Sequence, residues 1–370
     1  MIRLAYILCL NIGFCLASMQ AQHGISAIYA PSKVIKHRDN LLYNVPSLSN
    51  EIRLSYTYQT NGDYAWERFW KKPRIALNAI YVNFGDNEVL GSAFAIVPEL
   101  HFSLLRYKKL LLNMQFGTGI SYLTKPYDAI DNPNNNAIGS NLNNTSSLKF
   151  GIEYPWNKRL TTSLSTGIVH FSNGLSSSPN SGINIYGASL NVNYKLTVRQ
   201  PKDEETITTR NSEESPTYRK WIVDAQYHYG FTEHSTTGGP KYGVQAFSLG
   251  AGYRYKEYMT VLAGAEYEYN DGTYTFFKRN FETEEDARRM AKRSILYIEN
   301  EFRYGAVFNR FRLGFYLGWP YAKTKTHYIK VVTGIYLPNI EGYGKPYIGV
   351  ILKTHTEVAD YLAIMGGISF

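Results

Sequence analysis

Between Leu160 and Ser172 one alternating set of residues reads Leu160, Thr162, Leu164, Thr166, Ile168, His170 and Ser172. The other reads Thr161, Ser163, Ser165, Gly167, Val169 and Phe171. The first set carries most of the aliphatic residues, and the second is mostly small and polar. Successive side chains of a strand point to opposite faces, so this stretch predicts a β-strand with one apolar and one polar face. The next stretch behaves alike: Asn184, Tyr186, Ala188, Leu190, Val192 and Tyr194 alternate with Ile185, Gly187, Ser189, Asn191 and Asn193. The same period recurs in Ser146 to Tyr154, Phe247 to Tyr255 and Val358 to Phe370.

Connections between these segments fall into two classes. Tight ones lie near Arg106-Tyr107-Lys108, Pro155-Trp156-Asn157-Lys158, Tyr255-Lys256-Glu257 and Tyr304-Gly305-Ala306. They alternate with long ones, Thr124 to Asn144, Ser172 to Gly182 and Asn270 to Arg293, the last holding a short charged helix after Asn280. Short turns on one side and long loops on the other are the habit of membrane barrels, which keep the short turns in the periplasm and the long loops outside. No segment beyond the N-terminus approaches the roughly 18 apolar residues of a membrane helix. The expected fold is therefore all-β, an antiparallel transmembrane outer-membrane β-barrel of about 14–16 strands.

Two stretches interrupt the pattern: Thr60 to Lys72, and the charged run Arg199 to Pro216. The second reads either as a long periplasmic loop or as a linker between two sub-barrels. A single barrel over residues 22–370 is preferred here, because neither half is obviously closed alone, with 217–370 adding strands to the first part. Pro179 to Tyr186 (PNSGINIY) is faintly echoed by Pro240 to Phe247 (PKYGVQAF), read as two loops re-entering a sheet rather than as a duplication.

Composition agrees with the membrane. The 32 tyrosines suit aromatic girdles at the two interfaces. The chain ends on Phe370 in phase with Ile364 and Ile368, an aromatic final strand that resembles the assembly signal of bacterial outer-membrane proteins. Arg3, the apolar stretch Leu4 to Leu16 and the small residues around Ala17 and Ala21 read as a signal peptide over 1–21. Both cysteines, Cys9 and Cys15, lie inside it, so the mature chain has neither disulfides nor thiolate metal sites. The net charge of +9 suits anionic lipid headgroups and equally ordinary solubility and lumen charge. Nothing in the sequence suggests nucleic acid binding, and no dense metal-ligand cluster appears. Glu153, Glu266 and Glu268 read as lumen charges.

His170 and Ser172 are two residues apart on one strand, so they share a face and the imidazole is within reach of the hydroxyl. In a membrane barrel their face is the apolar one, and so is that of Asn184. Such a set points at acyl chains, where an enzyme acting on a lipid needs it.

The segment His170-Phe171-Ser172-Asn173-Gly174, followed by Pro179-Asn180-Ser181-Gly182, resembles the lipid A 3-O-deacylase family (PagL-type outer-membrane barrels). That family carries H-x-S-N, then P-N-x-G, with an acidic residue fourteen positions after the histidine. The resemblance extends upstream through Leu90 to Leu100 and covers roughly 75–198. At the third position this chain has Asn184 in place of a carboxylate. In that respect it resembles outer-membrane phospholipase A, whose pattern is H-x-S-N-G with an asparagine fourteen residues after the histidine. Both resemblances imply serine-dependent hydrolysis of a membrane lipid ester, with Ser172 as nucleophile, His170 as general base and Asn184 orienting the ring. Oxyanion donors would come from backbone N–H groups around Asn173 and Gly174 or from the Asn180 side chain. Gly174 and Gly182 would let the loop fold back tightly.

The expected function is thus an outer-membrane serine esterase acting on lipid A, integral to the outer membrane with its site loop at the outer leaflet. Phospholipase A activity is the alternative within that class. A non-catalytic structural or transport barrel derived from such a hydrolase is the alternative outside it. No cofactor is implied, calcium entering only by analogy with the phospholipase, and the oligomeric state stays open.

Overall fold

A computed structural model describes residues 22–36, 38–198, 220–233, 237–280, 282–318, 326–355 and 358–370. Residues 1–21, read as a signal peptide, and the charged run 199–216 lie outside the described residues. Among the described residues the alternating segments form sixteen antiparallel strands, each paired with its sequence neighbours within its own set of eight, which matches the fold class and strand total expected. Eight strands, β1 (Gln22–Ile35), β2 (Ser49–Gln59), β3 (Arg74–Asn83), β4 (Ser92–Tyr107), β5 (Leu110–Leu123), β6 (Leu142–Pro155), β7 (Leu160–Ser172) and β8 (Ile183–Lys195), close into one barrel. Eight more, β9 (Trp221–Glu233), β10 (Lys241–Lys256), β11 (Met259–Asn270), β12 (Lys292–Tyr304), β13 (Val307–Leu317), β14 (His327–Tyr336), β15 (Lys345–His355) and β16 (Val358–Ser369), close into a second.

The single barrel preferred from the sequence is therefore corrected to two. In the first half Ile35 on β1 pairs with Asn184 on β8, and in the second Phe231 on β9 pairs with Leu362 on β16. Each half thus satisfies its own edge strands, which would otherwise present unpaired N–H and C=O groups to lipid. Nothing local in the sequence marks which edges meet.

Outward positions carry apolar side chains such as Leu54, Ile96, Leu164, Leu190, Leu249, Leu296, Ile298 and Ile364, all exposed. A continuous outer belt of this kind belongs in hydrocarbon, and the fold is that of a bacterial outer-membrane barrel. No helix among the described residues is long and apolar enough to cross a membrane.

Paired charges cross the middle of both interiors. In the first barrel Arg53 bridges Glu51 and Glu99, Lys149 reaches Glu51 at 2.8 Å, and Arg74 grips Glu153. In the second, Arg310 meets Asp224, Glu299 and Glu301, while Arg312 and Lys330 share Glu266 and Lys353 meets Glu268. Eight strands leave an interior just wide enough for side chains, and charges buried there persist because each is paired. Glu153, Glu266 and Glu268 are the lumen charges expected.

The lumen of the first barrel is not polar throughout. Towards the long-loop rim its inward residues become apolar, and Val169, Phe171, Ile183 and Ile185 pack with Val82, Phe84, Leu123, Ala137 and Ile138 into a buried plug. Phe84 and Phe171 meet edge to face at 5.3 Å. This plug backs the outward-facing His170 and Ser172 with a rigid layer.

The two barrels touch at both rims. At the short-turn rim, the stretch read as a break holds helix α1 (Ala65–Phe69). Next to α1, Trp70 donates its indole N–H to the Arg303 carbonyl at 2.8 Å and packs beside Phe302 and Tyr304. Phe69 packs on Tyr258. The break is thus a docking element between barrels. At the long-loop rim, helices α2 (Asp271–Arg279) and α3 (Glu284–Ala291) fill the connection that was expected to hold one short helix. Asn270 and Thr283 cap them, accepting the Thr273 and Asp286 N–H groups.

Candidate active site

His170 and Asn184 stand directly opposite each other on β7 and β8. The fourteen-residue spacing is therefore that of a cross-strand pair closed by the 173–182 connection. Burial alternates along β7 with Val169 and Phe171 inward, so His170 and Ser172 face outward as the sequence implied, and Asn184 faces outward on β8. His170 Nδ1 lies 2.6 Å from Asn184 Oδ1. An amide oxygen accepts, so this contact places the proton on Nδ1 and leaves Nε2 as the basic nitrogen.

Ser172 is outward yet only 7% exposed, because its loop folds back over it. Asn180 covers it: the hydroxyl lies 2.9 Å from Asn180 Nδ2 and 3.1 Å from Oδ1. The Gly174 N–H donates to Ser172 Oγ at 3.2 Å. Gly174 has φ +64°, a conformation glycine adopts without strain, and this aims its amide at the serine. The three donors proposed from sequence thus separate. The Asn173 N–H is engaged by Asn180 Oδ1 at 3.0 Å. Its side chain is buried and bonded to Ser140 Oγ and the Ser177 carbonyl, so Asn173 shapes the loop. Gly174 N–H and Asn180 Nδ2 are the two donors at Oγ.

Gly182, with φ +80°, lies against the imidazole; a Cβ there would sit 2.7 Å from His170 Cε1. Its role is to leave room for the ring as well as to turn the chain. Its N–H donates to the Ala137 carbonyl at 2.9 Å, and Ser177 Oγ donates to the Gly139 carbonyl at 2.9 Å. The 124–141 loop therefore straps the site loop from the other side. Ala137, Gly139 and Ser140 went unnoticed in the sequence because they carry no reactive group and lie more than thirty residues away from the loop they hold. Within that strap Asp128 Oδ1 accepts the Ile130 and Asp131 N–H groups, which hold its carboxyl below the usual range. This carboxylate closes its own turn.

Glu153, a conceivable partner for His170, is occupied by Arg74 and Asn113 inside the barrel. Asn184 is the side chain that meets His170 Nδ1. Chemically the arrangement offers a hydroxyl, an imidazole on the same face with its Nδ1 against an amide oxygen, and two N–H donors beside the serine oxygen. These are the parts of a serine hydrolase.

Among solved structures, the chain is similar to Neisserial surface protein A, at 11% identity over 48% of this chain and 99% of that one, with a TM-score of 0.34. It is also similar to the outer membrane enzyme PagL, at 16% identity over 45% of this chain and 97% of that one, TM-score 0.30. CdiB from Acinetobacter baumannii aligns at 7% identity over 95% of this chain and 60% of that one, TM-score 0.20. No curated protein matches significantly. Residues 50–193, which run from the start of β2 almost to the end of β8 and hold every residue of the constellation, match the family described as lipid A 3-O-deacylase (PagL).

Proposed function

We propose that the first barrel is an outer-membrane serine esterase that removes an ester-linked acyl chain from lipid A. The observation that carries this reading is the His170–Asn184 contact of 2.6 Å on a lipid-facing surface, with Ser172 on the same strand face and two N–H donors at its hydroxyl. The family match over 50–193 supplies the substrate class. In this reading the long-loop rim lies outside the cell, since barrels of this kind carry their long loops there. Lipid A of the outer leaflet then meets the constellation from the side.

Ser172 Oγ attacks the ester carbonyl carbon while His170 Nε2 takes its proton. The carbonyl electrons move onto oxygen, where Gly174 N–H and Asn180 Nδ2 donate to the growing charge. The intermediate collapses, the C–O bond to the sugar breaks, and His170 returns its proton to the departing alkoxide. Water, activated by the same nitrogen, then hydrolyses the acyl-serine and releases a fatty acid. Asn184 keeps the proton on Nδ1 throughout. Replacing a triad acid by its amide costs about 10⁴ in a serine protease, chiefly by enforcing the wrong tautomer. Here the amide presents its oxygen, so that cause does not apply.

Asn184 also favours the second reading, phospholipase A, since an asparagine at this place is what the chain has in common with that pattern. A transport role fits less well, because paired side chains fill both lumens. Mass spectrometry of lipid A and phospholipids from cells expressing the protein or Ser172→Ala distinguishes the readings. Loss of one lipid A acyl chain that requires Ser172 supports the deacylase. Serine-dependent lysophospholipid moves the assignment to phospholipase. Identical profiles with both proteins folded overturn the enzymatic reading.

A further inference from the structure

The loop that carries the candidate oxyanion donors rests on the second barrel. Glu233, the last residue of β9, is 2% exposed. Its Oε2 accepts the Ser178 N–H at 3.1 Å, and its own N–H donates to the Leu175 carbonyl at 3.1 Å. The other carboxylate oxygen accepts the Gly239 N–H at 3.1 Å, which ties Glu233 to its own barrel rim. Next to this, a Cβ on Gly174 would lie 3.1 Å from Leu362 Cβ and 3.3 Å from Leu352 Cδ1. Gly174 is the residue whose N–H points at Ser172 Oγ, so the oxyanion turn is wedged between its own serine and two leucines of the other barrel.

We propose that the second barrel is a positioning element of the active site, with Glu233 as its clamp and Leu352 and Leu362 as the floor under Gly174. This deepens the esterase reading and rests on it. The physical case has two parts. A ten-residue surface connection is ordinarily mobile, and donors for an oxyanion act only when held before the charge appears. Glu233 supplies two hydrogen bonds to this loop, one through its carboxylate and one through its N–H, and a buried carboxylate acceptor makes the stronger kind of bond. The leucines set how far Gly174 recedes, and glycine is the residue that fits a positive φ with apolar side chains this close. Glu233 touches no reacting atom. It acts through the Leu175 to Ser178 segment, so truncating it should lower turnover while leaving lipid capture intact.

The test compares the full-length protein with Glu233→Ala, Glu233→Gln and Ser172→Ala, each shown to be folded by its heat-dependent shift in gel mobility. Purified lipid A in mixed micelles serves as substrate, and hydrogen exchange is followed over 173–182. For Glu233→Ala the expected result is a fall in kcat of about 10–100-fold with KM within twofold, the size associated with misplacement by about 1 Å. Exchange over 173–182 should quicken in the same variant. Glu233→Gln, which keeps one carbonyl acceptor, should recover part of both. Unchanged kcat together with unchanged exchange in a folded Glu233→Ala overturns the clamp, and so does a change in KM alone. If the wild type hydrolyses nothing and equals Ser172→Ala, the esterase reading fails. Exchange over 173–182 then decides the clamp separately, quickened exchange in Glu233→Ala upholding it and unchanged exchange overturning it.

Discussion

His170 pairs across its hairpin with Asn184; in the second barrel the pair that occupies the same place is Tyr229 and Gln245. The likeness runs further. Pro179 to Tyr186 enters β8 as Pro240 to Phe247 enters β10, and Gly182 and Gly243 occupy the same place in each. Each glycine leaves room for the ring on the facing strand: a Cβ on Gly243 would sit 3.0 Å from the Tyr229 hydroxyl, as one on Gly182 would crowd His170. Phe231 then stands where Ser172 stands, and Lys241 where Asn180 does. Gln245 Oε1 accepts from the Tyr227 hydroxyl at 3.2 Å instead of holding an imidazole. One hairpin is the last of its barrel and the other the first, so the likeness is local, two loops re-entering a sheet. Hairpin geometry with a ring-backing glycine therefore makes a scaffold, and chemistry arises only where its outward positions carry His, Ser and Asn under a loop that supplies donors.

Three changes break or sharpen this contrast. The largest expected effect is from Asn184→Leu, which makes the first hairpin apolar opposite His170 and removes the acceptor for Nδ1. Lipid A deacylation should fall about 10⁴-fold, the order expected when a triad histidine loses its orientation. Asn184→Asp, by contrast, should retain activity, and an inactive Asn184→Asp in a folded barrel would argue that residue 184 does not orient the ring. Next is Gly182→Ala. Its new methyl must displace the imidazole and adopt an unfavourable positive φ, so turnover should drop about 10²-fold with the barrel still folded. Wild-type turnover in Gly182→Ala would show that the ring has slack. The smallest effect is expected from grafting Tyr229→His with Phe231→Ser into a Ser172→Ala background. The second hairpin then carries His, Ser and Gln245 on one face, yet no hydrolysis should return, because Lys241 replaces the covering amide. Detectable serine-dependent hydrolysis would mean that the covering loop contributes little.

The faces of the candidate site residues were legible because a strand has period two. Reading which side of Leu160 to Ser172 was aliphatic sufficed to place His170 and Ser172 on the lipid side, and β7 is built that way. The donors were less legible. Asn173, Gly174 and Asn180 read alike as candidates, and only the folded loop separates an amide consumed in the turn from two aimed at Ser172. Glu233 carried no signal at all: it is one acidic residue at a strand end, and its partners Leu175 and Ser178 are more than fifty residues away. The stretch Thr60 to Lys72 read as an irregularity for the same reason, since Trp70 is explained by Arg303 and Tyr304 on another barrel.

By itself the sequence determined the strands, the face of each residue along them, the alternation of short and long connections, and the chemistry grouped on one hairpin. All of these rest on interactions between near neighbours, where the pleat repeats every two residues and a turn joins adjacent strands. The tertiary structure decided that sixteen strands close as two barrels and that Ser172 is covered by its own loop. It also decided that this loop leans on the second barrel. These depend on which distant edges and surfaces meet: β1 pairs with β8 and β9 with β16, so that each half closes with no unpaired backbone facing lipid.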